Sequence, residues 1–176
     1  CSATDTVLVQ VKYPFRIIYS KTDTICKGQN IKLFADGADR FQWSPGTGLN
    51  SATSAVPIAR PDTSIKYRVI GFDDRSCFSD TGFVFVKVYP IPTVDAGGDK
   101  TINIGQSLDL VPEISADVSE VIWSPTGNIF RNDYPAISVK PNQNTDYKVV
   151  VKNKGGCSAS DDITVQVICN GANVFI

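Results

Sequence analysis

The sequence predicts an all-β fold of the sandwich type, and three observations carry that expectation. First, the 176 residues include 19 Val, 17 Ile and 13 Thr against 5 Leu and no Met. Branched residues suit a pleated, half-buried surface, and the residues that helices favour are scarce. Second, apolar and polar residues alternate in short runs, and no segment keeps a 3.6-residue period over three turns. Third, 10 Pro and 13 Gly are spread along the chain and cut it into short pieces.

The predicted strands follow in order. Thr6 to Val11 alternates as Thr-Val-Leu-Val-Gln-Val, and Tyr67 to Ile70 continues the pattern. Gly82 to Val88, Tyr147 to Val151 and Ile163 to Ile168 complete it. Turn signals separate these runs: Asp36-Gly37, Pro45-Gly46, Asp73-Asp74, Gly97-Gly98 and Gly155-Gly156.

Self-comparison sets the domain organisation. Trp43-Ser44-Pro45 recurs as Trp123-Ser124-Pro125, and Pro61, Tyr67, Val69 and Cys77 recur as Pro141, Tyr147, Val149 and Cys157, all 80 residues on. Gly28-Gln29 recurs as Gly105-Gln106 with a shift of 77, so the second copy holds three extra residues before its Trp, expected in a turn around Glu113 to Glu120. The opening Cys1 to Val11 matches Cys157 to Val167 at 7 of 11 positions and reads as the terminal strand of a preceding repeat. The expected organisation is a strand over 1–12, repeat A over 13–90, repeat B over 91–170, and a lead-in to a further domain over 171–176. Proline at Tyr13-Pro14 and Tyr89-Pro90-Ile91-Pro92 marks the boundaries, where it stiffens a linker and stops strand pairing. A repeat of about 80 residues with some seven strands is the size of an immunoglobulin-like sandwich. Trp43 and Trp123 are then core residues on a central strand, and Tyr67 and Tyr147 bury their rings at the start of a late strand.

Composition excludes several functions. The net charge of −1, with no basic run, argues against nucleic acid and against an anionic membrane face. No apolar stretch approaches the ~20 residues of a membrane helix. Histidine is absent, which removes the usual general base and the commonest metal ligand. No nucleophile elbow, phosphate loop or dinucleotide fingerprint is present, so no enzyme and no cofactor are expected.

The motifs carry a resemblance. Thr24 to Leu33, Phe41 to Leu49, Tyr67-Arg68-Val69 and Ser76 to Asp80 resemble, in that order, a repeat common in surface proteins of gliding bacteria of the Bacteroidota type. Val94 to Ile102 resembles the opening of a PKD domain, although Trp-Ser-Pro stands where standard PKD domains carry Trp-Asp-Phe-Gly-Asp-Gly. Cys169 to Ile176 resembles the lead-in to the gliding-motility-associated C-terminal domain, a type IX secretion signal whose own Asn-Gly-Asp-Gly signature is missing. The resemblance implies tandem PKD-like or Ig-like repeats of a large secreted surface protein, a gliding adhesin, located outside the cell. Implied partners are neighbouring repeats and, through that further domain, the type IX machinery. It also implies a Cys26–Cys77 disulfide, since cysteines occur together at those positions in such repeats; two buried thiols are the alternative. Closing that loop would contribute roughly 3–4 kcal/mol.

The remaining cysteines are less constrained. Asn103 stands where Cys26 aligns, so Cys157 lacks the equivalent partner. Cys169 could replace it only if residues 157–162 fold back, because a straight strand would part the two by ~40 Å and a bridge needs ~7 Å. Cys1 belongs to a bridge in an upstream repeat or, in a rival reading, is the lipidated start of a lipoprotein. Asp95 and Asp99 are calcium candidates beside the linker, against the plain reading that Asp suits turns. Asp36 with Asp39, and Asp73 with Asp74, are similar loop pairs. Thr6 and Thr24 each follow Asp and precede an aliphatic residue, the short O-glycosylation pattern of the same bacterial group. The aromatics Tyr13, Phe15, Tyr19, Phe83, Phe85 and Tyr89 either pack between repeats or form a ligand patch. The leading function is a structural stalk that carries an adhesive region outward. The alternative is a glycan- or protein-binding module using end loops at Thr47 to Thr53 and Asn128 to Asp133.

Overall fold

The computed structural model describes residues 1–7, 9 and 11–169. The chain forms two compact units, Cys1–Tyr89 and Pro90–Ile176, and every element among the described residues is a strand.

The first unit contains β1 (Ile18–Tyr19), β2 (Asp23–Cys26), β3 (Ile31–Lys32), β4 (Ala35–Asp36), β5 (Arg40–Ser44), β6 (Ile58–Ala59), β7 (Ile65–Phe72) and β8 (Ser79–Tyr89). Its main sheet runs in the order β2-β8-β7-β5. β7 pairs antiparallel with β5 and β8, whereas β2 lies parallel to the last four residues of β8, Cys26 beside Tyr89. The pairs β1-β4 and β3-β6 build the opposite layer. Alternation along β5, β7 and β8 sends Phe41, Trp43, Tyr67, Val69, Val84 and Val86 inward, where they meet Leu33, Ala35 and Ala59.

The second unit contains β9 (Val94–Asp95), β10 (Lys100–Asn103), β11 (Leu108–Leu110), β12 (Glu113–Ile114), β13 (Val118–Ser124), β14 (Ile129–Asp133), β15 (Ala136–Val139), β16 (Thr145–Asn153) and β17 (Ser158–Ile168). Its main sheet, β10-β17-β16-β13, repeats the first unit's order, again with the first strand parallel to the last. β14 is an addition that joins β15 and β11 in a three-stranded sheet. Trp123, Tyr147, Val149, Val151, Ile163 and Val165 form the core with Leu110, Ile137 and Val139.

The repeated Gly-Gln marks one turn built twice. Gly28 and Gly105 sit at φ +86° and +84°, the left-handed region that favours glycine. The Gln29 and Gln106 side chains accept from the N–H of Cys26 and Asn103, and their own N–H groups donate back to those residues' carbonyls. β13 is two residues longer than β5, and its register slips between Val118 and Glu120.

The described residues of 1–12 join no sheet, and Val7, Val9 and Val11 are exposed. One expectation is corrected: the shift of 80 breaks at the last turn. Asp73 N–H reaches the Phe78 carbonyl, while Asn153 N–H reaches that of Cys157. Cys157 therefore occupies the place of Phe78, and Cys77 is an extra turn residue without a counterpart.

Candidate functional site

The four aromatic core residues are buried in their own units. Trp43 Nε1–H donates to the Ser54 carbonyl at 2.9 Å, and Trp123 Nε1–H to that of Pro135 at 3.1 Å. Both indoles are buried in their cores. Tyr67 Oη donates to the Thr47 carbonyl at 2.8 Å. The buried Tyr147 hydroxyl has no hydrogen-bond partner among the described residues. Burial pushes both phenols up from their ordinary pKa; near Tyr147, Asn128 opposes that rise.

The cysteines depart from expectation. Cys26 and Cys157 are disulfide-bonded, while Cys1, Cys77 and Cys169 are free and exposed. A Cys26–Cys77 bridge is therefore overturned, and β8 gives the reason. Cys26 lies beside Tyr89 at the end of that strand, whereas Cys77 precedes Ser79 at its start. The length of β8 parts them by ~33 Å, far beyond the ~7 Å a disulfide spans. A Cys157–Cys169 bridge fails in the same way, because the unbroken β17, Ser158–Ile168, lies between them.

The acidic candidates serve the backbone. Asp95 Oδ1 accepts from Gly97 N–H, and Asp99 Oδ1 from Thr164 N–H. Asp39 accepts from Asp74 N–H, and Asp73 from Phe78 N–H. Lys12 meets Asp74 at 3.0 Å, which lowers the carboxyl's pKa and raises that of the ammonium. Among the described residues no three Cys, Asp or Glu side chains gather to hold a metal ion. Thr6 and Thr24 are both exposed, each with its N–H bonded to the preceding aspartate. A recess of about 500 Å³ is lined by Asp36, Asp39, Arg40, Gln42, Thr53 and apolar neighbours, and it is open to solvent.

The grouped aromatics do not act together. Phe15 packs on the first unit's core, Tyr13 is exposed, and Tyr19 lies over Gly82. Phe83 and Phe85 project from the outer face of β8 and are 51% and 39% exposed. Across the strands, Arg68 stands opposite Phe83 and Lys66 opposite Phe85. Lys66 Nζ lies 4.5 Å from the Phe83 ring centre, Lys87 Nζ 4.4 Å from that of Tyr89, and the Arg40 guanidinium 5.7 Å from that of Phe72. Single-sequence reading passed over this face because it paired the aromatics with boundaries. Alternation in β7 and β8, read strand against strand, was the available signal.

No protein family and no curated protein matches this chain. Solved structures do match. Sidekick-1 immunoglobulin domains 1–4 align with a TM-score of 0.53 at 11% identity, covering 86% of this chain and 48% of that one. Extracellular domains 3–5 of Drosophila OTK align with a TM-score of 0.57 at 10% identity, covering 86% and 62%. An I-band fragment of titin aligns with a TM-score of 0.50 at 14% identity, covering 89% and 66%. The chain thus spans about half to two thirds of these structures. At such identities the likeness shows the fold alone: all-β, with tandem immunoglobulin-like sandwiches. No helix among the described residues is long and apolar enough to cross a membrane.

Proposed function

We propose that the chain is a non-catalytic stalk segment of a large secreted cell-surface adhesin of the gliding-motility type, exported by type IX secretion. The observation that carries this reading is the repetition itself: one strand order built twice in one chain, each copy around its own core. Repeated sandwiches give reach without chemistry, and each depends mainly on its neighbours. Two further features support it. The disulfide-bonded Cys26 and Cys157 suit an oxidising compartment. The opening residues repeat the sequence of β17, as a longer array would require. Thr6 and Thr24 are its proposed O-glycosylation sites, both open to a transferase.

The test is protease shaving of intact producing cells, followed by peptide mass spectrometry. Peptides of this chain should be released without lysis, with hexose mass on those holding Thr6 and Thr24. Release only after lysis would end the surface reading. Deleting one repeat from the parent protein should shorten adhesive reach while adhesion survives. Complete loss of adhesion would make the repeat itself the adhesive part.

A further inference from the structure

The outer face of the first unit's main sheet differs from the matching face of the second unit in one consistent way. Tyr67 and Tyr147 fix the correspondence, being paired across the strands with Val84 and Ile163. In the second unit, Lys148 meets Asp162 at 3.7 Å, Lys152 meets Glu120 at 3.3 Å, and Thr164 donates to Asp146 at 2.8 Å. That face satisfies its own charges. In the first unit the same three cross-strand places hold Arg68 with Phe83, Arg40 with Phe72, and Lys66 with Phe85. Each polar pair has become a cation beside an aromatic ring. None of these cations, nor Lys87 further along, is in an ion pair among the described residues. No outward position of β5, β7 or β8 carries an acid.

We propose that this face binds an anionic polysaccharide. Charge complementarity favours an anion, because several cations lie on one sheet face without an ion pair among the described residues. Aromatic neighbours hold the cations in place yet leave their charge available, since an exposed cation–ring contact is worth only about 0.5–1 kcal/mol. Arg68 offers a planar fork suited to a carboxylate or a sulfate. The ring of Phe85 has no cation over it among the described residues, and its negative face suits the weakly positive C–H face of a sugar. An acidic peptide is a poorer fit. Extended peptides bind through backbone hydrogen bonds at a sheet edge, and on this face the backbone groups are already spent within the sheet. A ribbon of sugar rings with charges along its margin matches a flat surface of rings and cations. The inference does not depend on the stalk reading, and it places the ligand on a sheet face, away from the end loops.

Native affinity electrophoresis of the 176-residue chain tests it, with polygalacturonate as the carboxylate probe and dextran sulfate as the sulfate probe. Retardation by at least one of these, and not by neutral dextran, is expected. The double variant Lys66→Gln/Arg68→Gln should bind about tenfold more weakly, and Phe85→Leu, which keeps an apolar side chain without the ring, about threefold more weakly. Lys148→Gln/Lys152→Gln in the second unit should bind as the unaltered chain does. All substitutions are at outward positions, and unchanged melting would confirm intact folding. No retardation by either polyanion, or equal retardation of the Lys66/Arg68 variant, would overturn the proposal. So would equal retardation by polyglutamate together with an inert Phe85→Leu, because the face would then read charge alone.

Discussion

At the scale of single residues, the two tyrosines make a matched pair. Both are buried at the same place in their units, yet only Tyr67 donates its hydroxyl to a carbonyl. Tyr67→Phe should cost about 1 kcal/mol and leave the Thr47 carbonyl short of a donor. Tyr147→Phe should cost less than that, since the Tyr147 hydroxyl is buried without a carbonyl partner among the described residues. Urea denaturation of the two variants compares them directly; equal losses would contradict the assigned hydrogen bond. The tyrosines were legible in the sequence because both stand in the same alternating run. The cysteines were not. Their spacing says nothing about which end of a strand each reaches, and only the pairing of Cys26 with Tyr89 reveals that Cys77 is remote. Alkylation without reductant, followed by peptide mapping, should label Cys1, Cys77 and Cys169. Cys26 and Cys157 should react only after reduction.

At the scale of elements, each unit ties its entering segment to its last strand through a carboxylate. Asp80 accepts from Ile17 N–H, and Asp161 from Ala96 N–H, both in the entering segment of their unit. These amides, with those of Thr81 and Asp162, hold both carboxyls below the usual carboxylate range. A carboxyl lowered on folding contributes stability that is complete above its unfolded pKa of about 3.9. That stability is lost as pH falls through the folded value. The urea midpoint should therefore be flat in this respect above about pH 5 and fall below about pH 4. Asp80→Asn and Asp161→Asn should each lower the plateau and flatten the acid limb; an unchanged acid limb in both would exclude these contacts. The strands themselves were legible, because alternation and turn residues agree along most of the chain. The opening segment alternates as well as β17 does, but alternation records only that a segment could be half buried, and the described residues of 1–12 join no sheet.

At the scale of the whole molecule, charge is unevenly divided. Residues 1–89 hold 11 Lys and Arg against 8 acids, and residues 90–176 hold 6 against 10. The near-zero total conceals that contrast, which explains why the basic face of the first unit was invisible to overall composition. The parallel pairing of β2 with β8 has a mechanical meaning. β2 stands near the start of the first unit, and β8 ends it. Opposite pulls on the two ends slide these strands along their common axis. The rungs of the four-residue ladder then bear the load together, whereas a hairpin pulled open at its mouth loses them one at a time. Stretched from its termini, the first unit should yield at a markedly higher force than when the same pull peels β8 from β7. Lys27→Pro, which removes the N–H that donates to the Tyr89 carbonyl at the end of this ladder, should lower that force in single-molecule pulling. A tether made of such units would fail by sudden rupture, holding nearly its full length until the shear ladder gives way.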